Sequence, residues 1–299
     1  MTITLRPLTA EDAGAMADIL GAYDAFHAGA DDRPSADDML QWWGRVDESA
    51  GADDEIDGLI GVGFLRGRGE YFIADYFVHP DARGRGAASL LLDWGEGATL
   101  DAGLSGVRPG VNAADTGGKE LLESRGYRYI RSFYRMAIDL TGQPPEPVWP
   151  DGFTVAFEPD EEHLIYETLE EAFADHWGHE ERTFEEWMAQ NGPLAERLCY
   201  VVRAEDGTPA AAQVCDEERF GSAWVSILGV RAPWRKRGLG EALLRLAFHD
   251  LYARGRRRVR LGVDAENTTG ATRLYERVGM RVVLQDDAYE KRLEPEPRH

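Results

Sequence analysis

Residues Trp224 to Gly240, WVSILGVRAPWRKRGLG, decide the fold. The run Val225–Val230 is apolar and β-rich, which predicts a buried strand of about six residues, and Pro233 stops it. Arg235, Lys236 and Arg237 follow, then Gly238-Leu239-Gly240, then Glu241 to Leu251 with Leu243, Leu244, Ala247 and Leu251 at helical spacing. A basic, glycine-bearing turn therefore opens a helix. The first amides of a helix have no internal partners, and glycine lets a ligand approach the backbone closely, so the turn suits a phosphate. Neighbouring arginines add charge-assisted hydrogen bonds.

The residues that follow distinguish this turn from two other phosphate loops. A P-loop carries Lys-Ser/Thr after its last glycine, whereas Gly240 is followed by Glu241-Ala242; a dinucleotide fingerprint needs three glycines and an acid about 20 residues on. Downstream, Val259–Asn267 reads as a strand entering a loop, Thr269–Val278 as a helix, and Gly279-Met280 as its end. Arg235-x-x-Gly238-x-Gly240 behind its strand resembles the acyl-CoA-binding motif of the GNAT superfamily of N-acyltransferases. Asn267, Tyr275 and Gly279 stand where that superfamily places an Asn at a helix mouth, a Tyr on the helix and a closing Gly. The likeness in element order covers nearly the whole chain.

The resemblance implies acetyl-CoA as cofactor and a primary amine, possibly cationic, as acceptor. Lys236 to Gly240 would hold the pyrophosphate, with Arg235 beside them. Leu228, Gly229 and Val230 would meet the pantetheine arm, the amide of Leu228 or Val230 serving as oxyanion donor. Asn267 and Ala271 would complete the cofactor site, and the Tyr275 phenol would protonate the departing thiolate. Candidate bases for the amine are Asp175, His176 and Glu217, with Asp216 and Glu218 beside the last; Asp175-His176-Trp177 also has the makings of a cation pocket.

Charge supports such a pairing of ligands. The net charge of -21 argues against nucleic acid or an anionic membrane as partner. Yet residues 231 to 260 carry a net +8 and residues 151 to 222 a net -15, one segment fitted to an anion and the other to a cation. No apolar run approaches the roughly 20 residues that span a bilayer, and the N-terminus lacks the pattern of a signal peptide, so a cytoplasmic monomer or homodimer is expected. Cys199 and Cys215 read as buried small hydrophobes, with no disulfide framework and no metal site.

The fold is written twice. Thr2–Arg6, Pro7, and a helix capped by Thr9 with Asp12 match Phe153–Glu158, Pro159, and a helix capped by Asp160. The basic turn recurs as Arg83-x-x-Gly86-x-Ala88, and Leu121–Tyr127 aligns with Leu274–Met280. A self-match at this spacing means two copies of one domain. The expected organisation is α+β: tandem GNAT-like domains over 1–141 and 153–294, each a mixed, mostly antiparallel twisted sheet with helices on both faces, joined by a stiff Pro-rich linker, 142–152. In the first copy Phe77, Val78, Arg83, Gly84, Arg85, Gly86, Ala87 and Ala88 would meet a cofactor. Leu122 stands in the place of Tyr275 and Ala114 in that of Asn267, so this copy reads as degenerate.

Two other readings stay open. A tandem branch of the superfamily acetylates the cysteinyl amine of a sugar-linked thiol and is similar in layout. That branch carries a Glu just ahead of the fourth strand of its active copy, where this chain has Trp224. From another class, both copies would bind coenzyme A as a non-catalytic regulator.

Overall fold

The computed structural model describes residues 2–29 and 33–293; the predicted domain end at residue 294 lies just outside them. The first half supplies β1 (Ile3–Arg6), α1 (Ala13–Ala28), α2 (Ala36–Trp43), β2 (Glu48–Asp54), β3 (Gly58–Arg68), β4 (Tyr71–Val78), α3 (Ala87–Asp101), β5 (Gly106–Asn112), α4 (Thr116–Ser124) and β6 (Arg128–Asp139). The second half repeats the order with β7 (Phe153–Phe157), α5 (Glu162–Phe173), α6 (Phe184–Asn191), β8 (Leu198–Ala204), β9 (Pro209–Arg219), β10 (Ser222–Val230), α7 (Leu239–Ala253), β11 (Arg258–Asp264), α8 (Ala271–Arg277) and β12 (Arg281–Arg292). This is the α+β, two-copy architecture expected, and no helix among the described residues is long and apolar enough to cross a membrane.

Local chemistry places several ends. Thr9 with Asp12 and Thr183 with Glu186 form reciprocal capping boxes. Asp160 does not cap α5; the cap is Glu161, without a side-chain hydrogen bond, because the helix starts one residue later.

The chain divides into two compact units whose limits are not those of the linear copies. Unit 1 comprises residues 1–134, 264–266 and 283–299; unit 2 comprises 135–263 and 267–282. In unit 1 the strand order is β1-β2-β3-β4-β5-β12. The pair β5–β12 runs from Asn112↔Asp286 to Gly106↔Arg292. In unit 2 the order is β7-β8-β9-β10-β11-β6. Each copy's last strand thus completes the sheet of the other. The closing residues Arg281–Arg292 form one continuous strand, β12.

Unit 2 is layered. Ile165 and Leu169 of α5 and Trp187 of α6 pack with Val201, Ala212 and Val214 on one sheet face. The opposite face of β9 and β10 is covered by α7. Gly229 is required by the first packing: a Cβ there would sit 2.8 Å from the Cβ of Ala172 on α5. Cys199 and Cys215 are wholly buried and free, and burial pushes the Cys199 thiol up to about 12.

Candidate active site

In unit 2, β10 and β11 pair in parallel only at Ala223↔Val259 and Trp224↔Arg260. Past that point β10 runs on to Val230 bound to β9 alone. The Arg231 N–H donates to the Ala210 carbonyl at 3.0 Å. Backbone groups alternate along a strand, so the amides of Leu228 and Val230 point the other way, into the gap that β11 leaves. Both N–H groups thus face the parting of the strands.

Register within β9–β10 adds a second feature. Val225 pairs with Cys215 and Ile227 with Val214, which leaves Ser226 as an extra residue, a β-bulge. Unit 1 differs. Its β3–β4 ladder is continuous from Gly61↔Val78 to Arg68↔Tyr71, and β4–β5 stays paired through Asp75↔Gly110.

The turn after β10 has the shape the sequence implied. Lys236 and Gly238 have φ of +61° and +88°, as Gly84 and Gly86 in unit 1 have +76° and +98°. Left-handed residues alternating with right-handed or extended ones turn successive N–H groups to one side, an anion-binding nest. Gly238 caps α7 without a side-chain partner, so the first-turn amides stay available. Leu239 and Gly240 are buried at the helix start, Gly240 lying against Leu228 and Val230. Lys236 and Arg237 are exposed.

Arg235 is turned elsewhere. Its guanidinium donates to the Val230 carbonyl at 3.1 Å, to the Ala172 carbonyl at 2.8 Å and to both oxygens of Asp175. It ties the end of α5 to the end of β10, and the nest is left to backbone amides. The same pairing holds the Asp175 carboxyl below the usual range. A carboxylate bound to a guanidinium is a weak base, so Asp175 is a tether.

Tyr275, on α8, is 8% exposed, and burial pushes its phenol up to about 12. It therefore keeps its proton at neutral pH. Asn267 spends its carbonyl oxygen on the N–H and hydroxyl of Thr269, leaving its amide NH2 as the outward donor. Ala271 opens α8 behind Gly270, the helix's left-handed cap.

The other candidate bases lie in different places. The His176 ring meets Phe173 edge-on with centroids 4.5 Å apart, and Phe173 in turn lies against Gly229 of β10. Glu217 is bound to Arg254 at 2.7 Å, with Arg256 at 3.9 Å. β9 runs antiparallel to β10, so its acids beyond Asp216 lie past Trp224, six residues before Val230, a separation from the phosphate turn of about 20 Å. Glu217 is thus far from the phosphate turn and held by Arg254. Ser226, at the bulge, was the residue sequence reasoning missed, since a one-residue bulge leaves no compositional trace.

Unit 1 holds a cavity of about 420 Å³ beside its own turn, lined by Val78, Arg83, Gly84, Gly86, Ala87 and Ala88 among others. Leu122, which aligns with Tyr275, lines it too. Phe77 points instead to Tyr23 and Trp42, with ring centroids 5.3 and 6.2 Å away. The Arg85 guanidinium binds Asp57 at 2.5 Å. Both side chains leave the cavity wall.

Comparison with known proteins follows the same division. The model of the acetyltransferase (GNAT) family matches residues 16–127 and 162–280. Mycothiol acetyltransferase of Thermobispora bispora is 33% identical over 225 residues, 72% of this chain and 74% of the relative. The enzyme of the same name from Streptomyces griseus subsp. griseus is 31% identical over 220 residues, covering 69% and 67%. Among solved structures, a GCN5-related N-acetyltransferase from Sphaerobacter thermophilus superposes with a TM-score of 0.83 at 32% identity, covering 98% of this chain and 96% of that one. A tandem GNAT protein from the clavulanic acid biosynthesis pathway shares the fold, with a TM-score of 0.74 at 18% identity over 99% and 100%.

Proposed function

Since this chain belongs to the GNAT acetyltransferase family and is an acyltransferase, we propose that unit 2 moves an acetyl group from acetyl-CoA to the primary amine of a small molecule or peptide. The observation that carries this is the early parting of β10 from β11 after Trp224, with a bulge at Ser226, where the corresponding strands of unit 1 stay paired farther, through Asp75↔Gly110.

The nest over Lys236–Gly240 and the start of α7 receive the pyrophosphate. The pantetheine arm lies along Leu228–Val230, with the Asn267 amide on its other side. The thioester carbonyl accepts from the amide of Leu228 or Val230; one such donor is worth about 10²–10³ in rate. As the neutral amine attacks, the C–N bond forms and the C–S bond breaks; Tyr275 gives the sulfur its proton, and the proton released by the nitrogen passes to solvent, from which the phenol is restored. Coenzyme A thiolate, with a pKa near 8.5 like free cysteine, is thereby discharged as thiol. Unit 1 keeps the nest and the cavity but has Leu122 in the place of a donor, so it binds coenzyme A without transferring from it.

The mycothiol acetyltransferase relatives favour a second reading of the acceptor, the amine that those enzymes acetylate. Trp224 counts against it. Its indole N–H donates to the Arg219 carbonyl at 2.8 Å, and no carboxylate occupies the position where the resembling branch has one. Thiol release from acetyl-CoA across a panel of primary amines tests the proposal. Turnover with at least one amine is expected; coenzyme A binding without turnover on any of them points to a regulator.

A further inference from the structure

We propose that Ser226 is the residue that receives the N–H of the acceptor's amine, aimed by Asp216 and Arg197, an inference that rests on the transferase reading of unit 2. Ser226 is the extra residue of the β10 bulge, and bulges re-aim side chains beside active sites. Its hydroxyl donates to Asp216 Oδ2. Arg197 donates to Asp216 Oδ2 from Nη2 at 3.0 Å, and its Nε lies 2.6 Å from Oδ1, so the guanidinium holds the carboxylate as an ion pair. A serine hydroxyl has a single hydrogen, and here it is committed. Ser226 therefore meets a ligand only as an acceptor.

The face fits this role. Ala212 and Val214 of β9 pack under α5 and α6, and side chains two apart share a face, so Asp216 lies on that face with Ser226 bound to it. Leu228 and Val230 lie on the opposite face, against Gly240 of α7. The nucleophile's anchor and the pyrophosphate nest thus sit on opposite sides of β10, beyond the point where β11 departs. The Asp216 and Arg197 side chains are 19% and 12% exposed, which shields the pair from screening while leaving it reachable. The ionisable groups coupled to Asp216 also include Cys199 and Cys215. Burial raises both thiols, so neither competes for the amine's proton near neutrality.

The test compares Ser226→Ala with Ser226→Thr, using the amine that the wild-type protein acetylates best in the panel and acetyl-CoA as donor. A lost hydrogen bond to a charged group corresponds to about 10–100-fold. Ser226→Ala is expected to lose that much in kcat/KM for the amine while the calorimetric Kd for acetyl-CoA stays within about threefold, and Ser226→Thr, which keeps the hydroxyl, is expected to stay near the wild type. Equal losses in both variants, an unchanged kcat/KM in Ser226→Ala, or a parallel loss of acetyl-CoA affinity would each reduce Ser226 to a clasp for the bulge and overturn the proposal. A wild-type protein that acetylates no amine removes the transferase reading itself, and the anchor with it.

Discussion

Replacing Gly238 by Ala isolates the contribution of one backbone angle to cofactor binding. Gly238 has φ +88° and ψ -5° at the cap of α7. A Cβ there would meet nothing closer than Pro150 Cγ at 3.5 Å, an ordinary contact. The cost is therefore conformational, about 1–2 kcal/mol for an L-residue held left-handed. That energy must surface in one of two measurements. If the turn keeps its shape, the unfolding free energy falls by that amount and the melting temperature drops by about 2–8 °C. If the turn relaxes when empty, coenzyme A must restore the nest, and its Kd rises about 5–30-fold. Titration calorimetry with coenzyme A and a thermal melt on the same preparation separate the two, and Gly86→Ala reports the equivalent turn of unit 1. Unchanged Kd and unchanged melting temperature would refute the claim that the turn is a rigid left-handed nest.

Tyr275→Phe is expected to lower turnover about 10²-fold or more with little change in acetyl-CoA affinity, as removal of a general acid should; an unaltered rate removes the phenol from the mechanism. The same variant has a stability signature. The folded phenol titrates at about 12 against 10.0 ordinarily, so the unfolded chain sheds its proton first as pH rises. Stability is lost across pH 10 to 12, and Tyr275→Phe should flatten that part of the alkaline curve in denaturant titrations. Gly229→Ala forces a methyl to within 2.8 Å of Ala172 and 3.0 Å of Leu169; overpacking of this kind costs about 1–3 kcal/mol, read as a lower midpoint in urea.

What was legible in the sequence was whatever neighbouring residues decide together. Pro233 ending a strand, the basic turn, the glycine at the cap of α7, the cap at Thr9 with Asp12, and the recurrence of the turn in a second copy depend on φ preferences and on hydrogen bonds within a few residues. The place of Tyr275 on a helix behind Asn267 was visible for the same reason. Tertiary structure alone decided the rest. Arg235 reads as a phosphate ligand until the end of α5 arrives beside it and Asp175 takes it. Glu217 reads as a base beside the site until the antiparallel register of β9 carries it away from the turn. The bulge at Ser226, and the exchange by which β12 completes the sheet of unit 1, are matters of which distant strand pairs with which, and in what register. Such pairings are settled by the burial of whole faces against one another, an energy shared among residues far apart in the chain and therefore written at no single place in it.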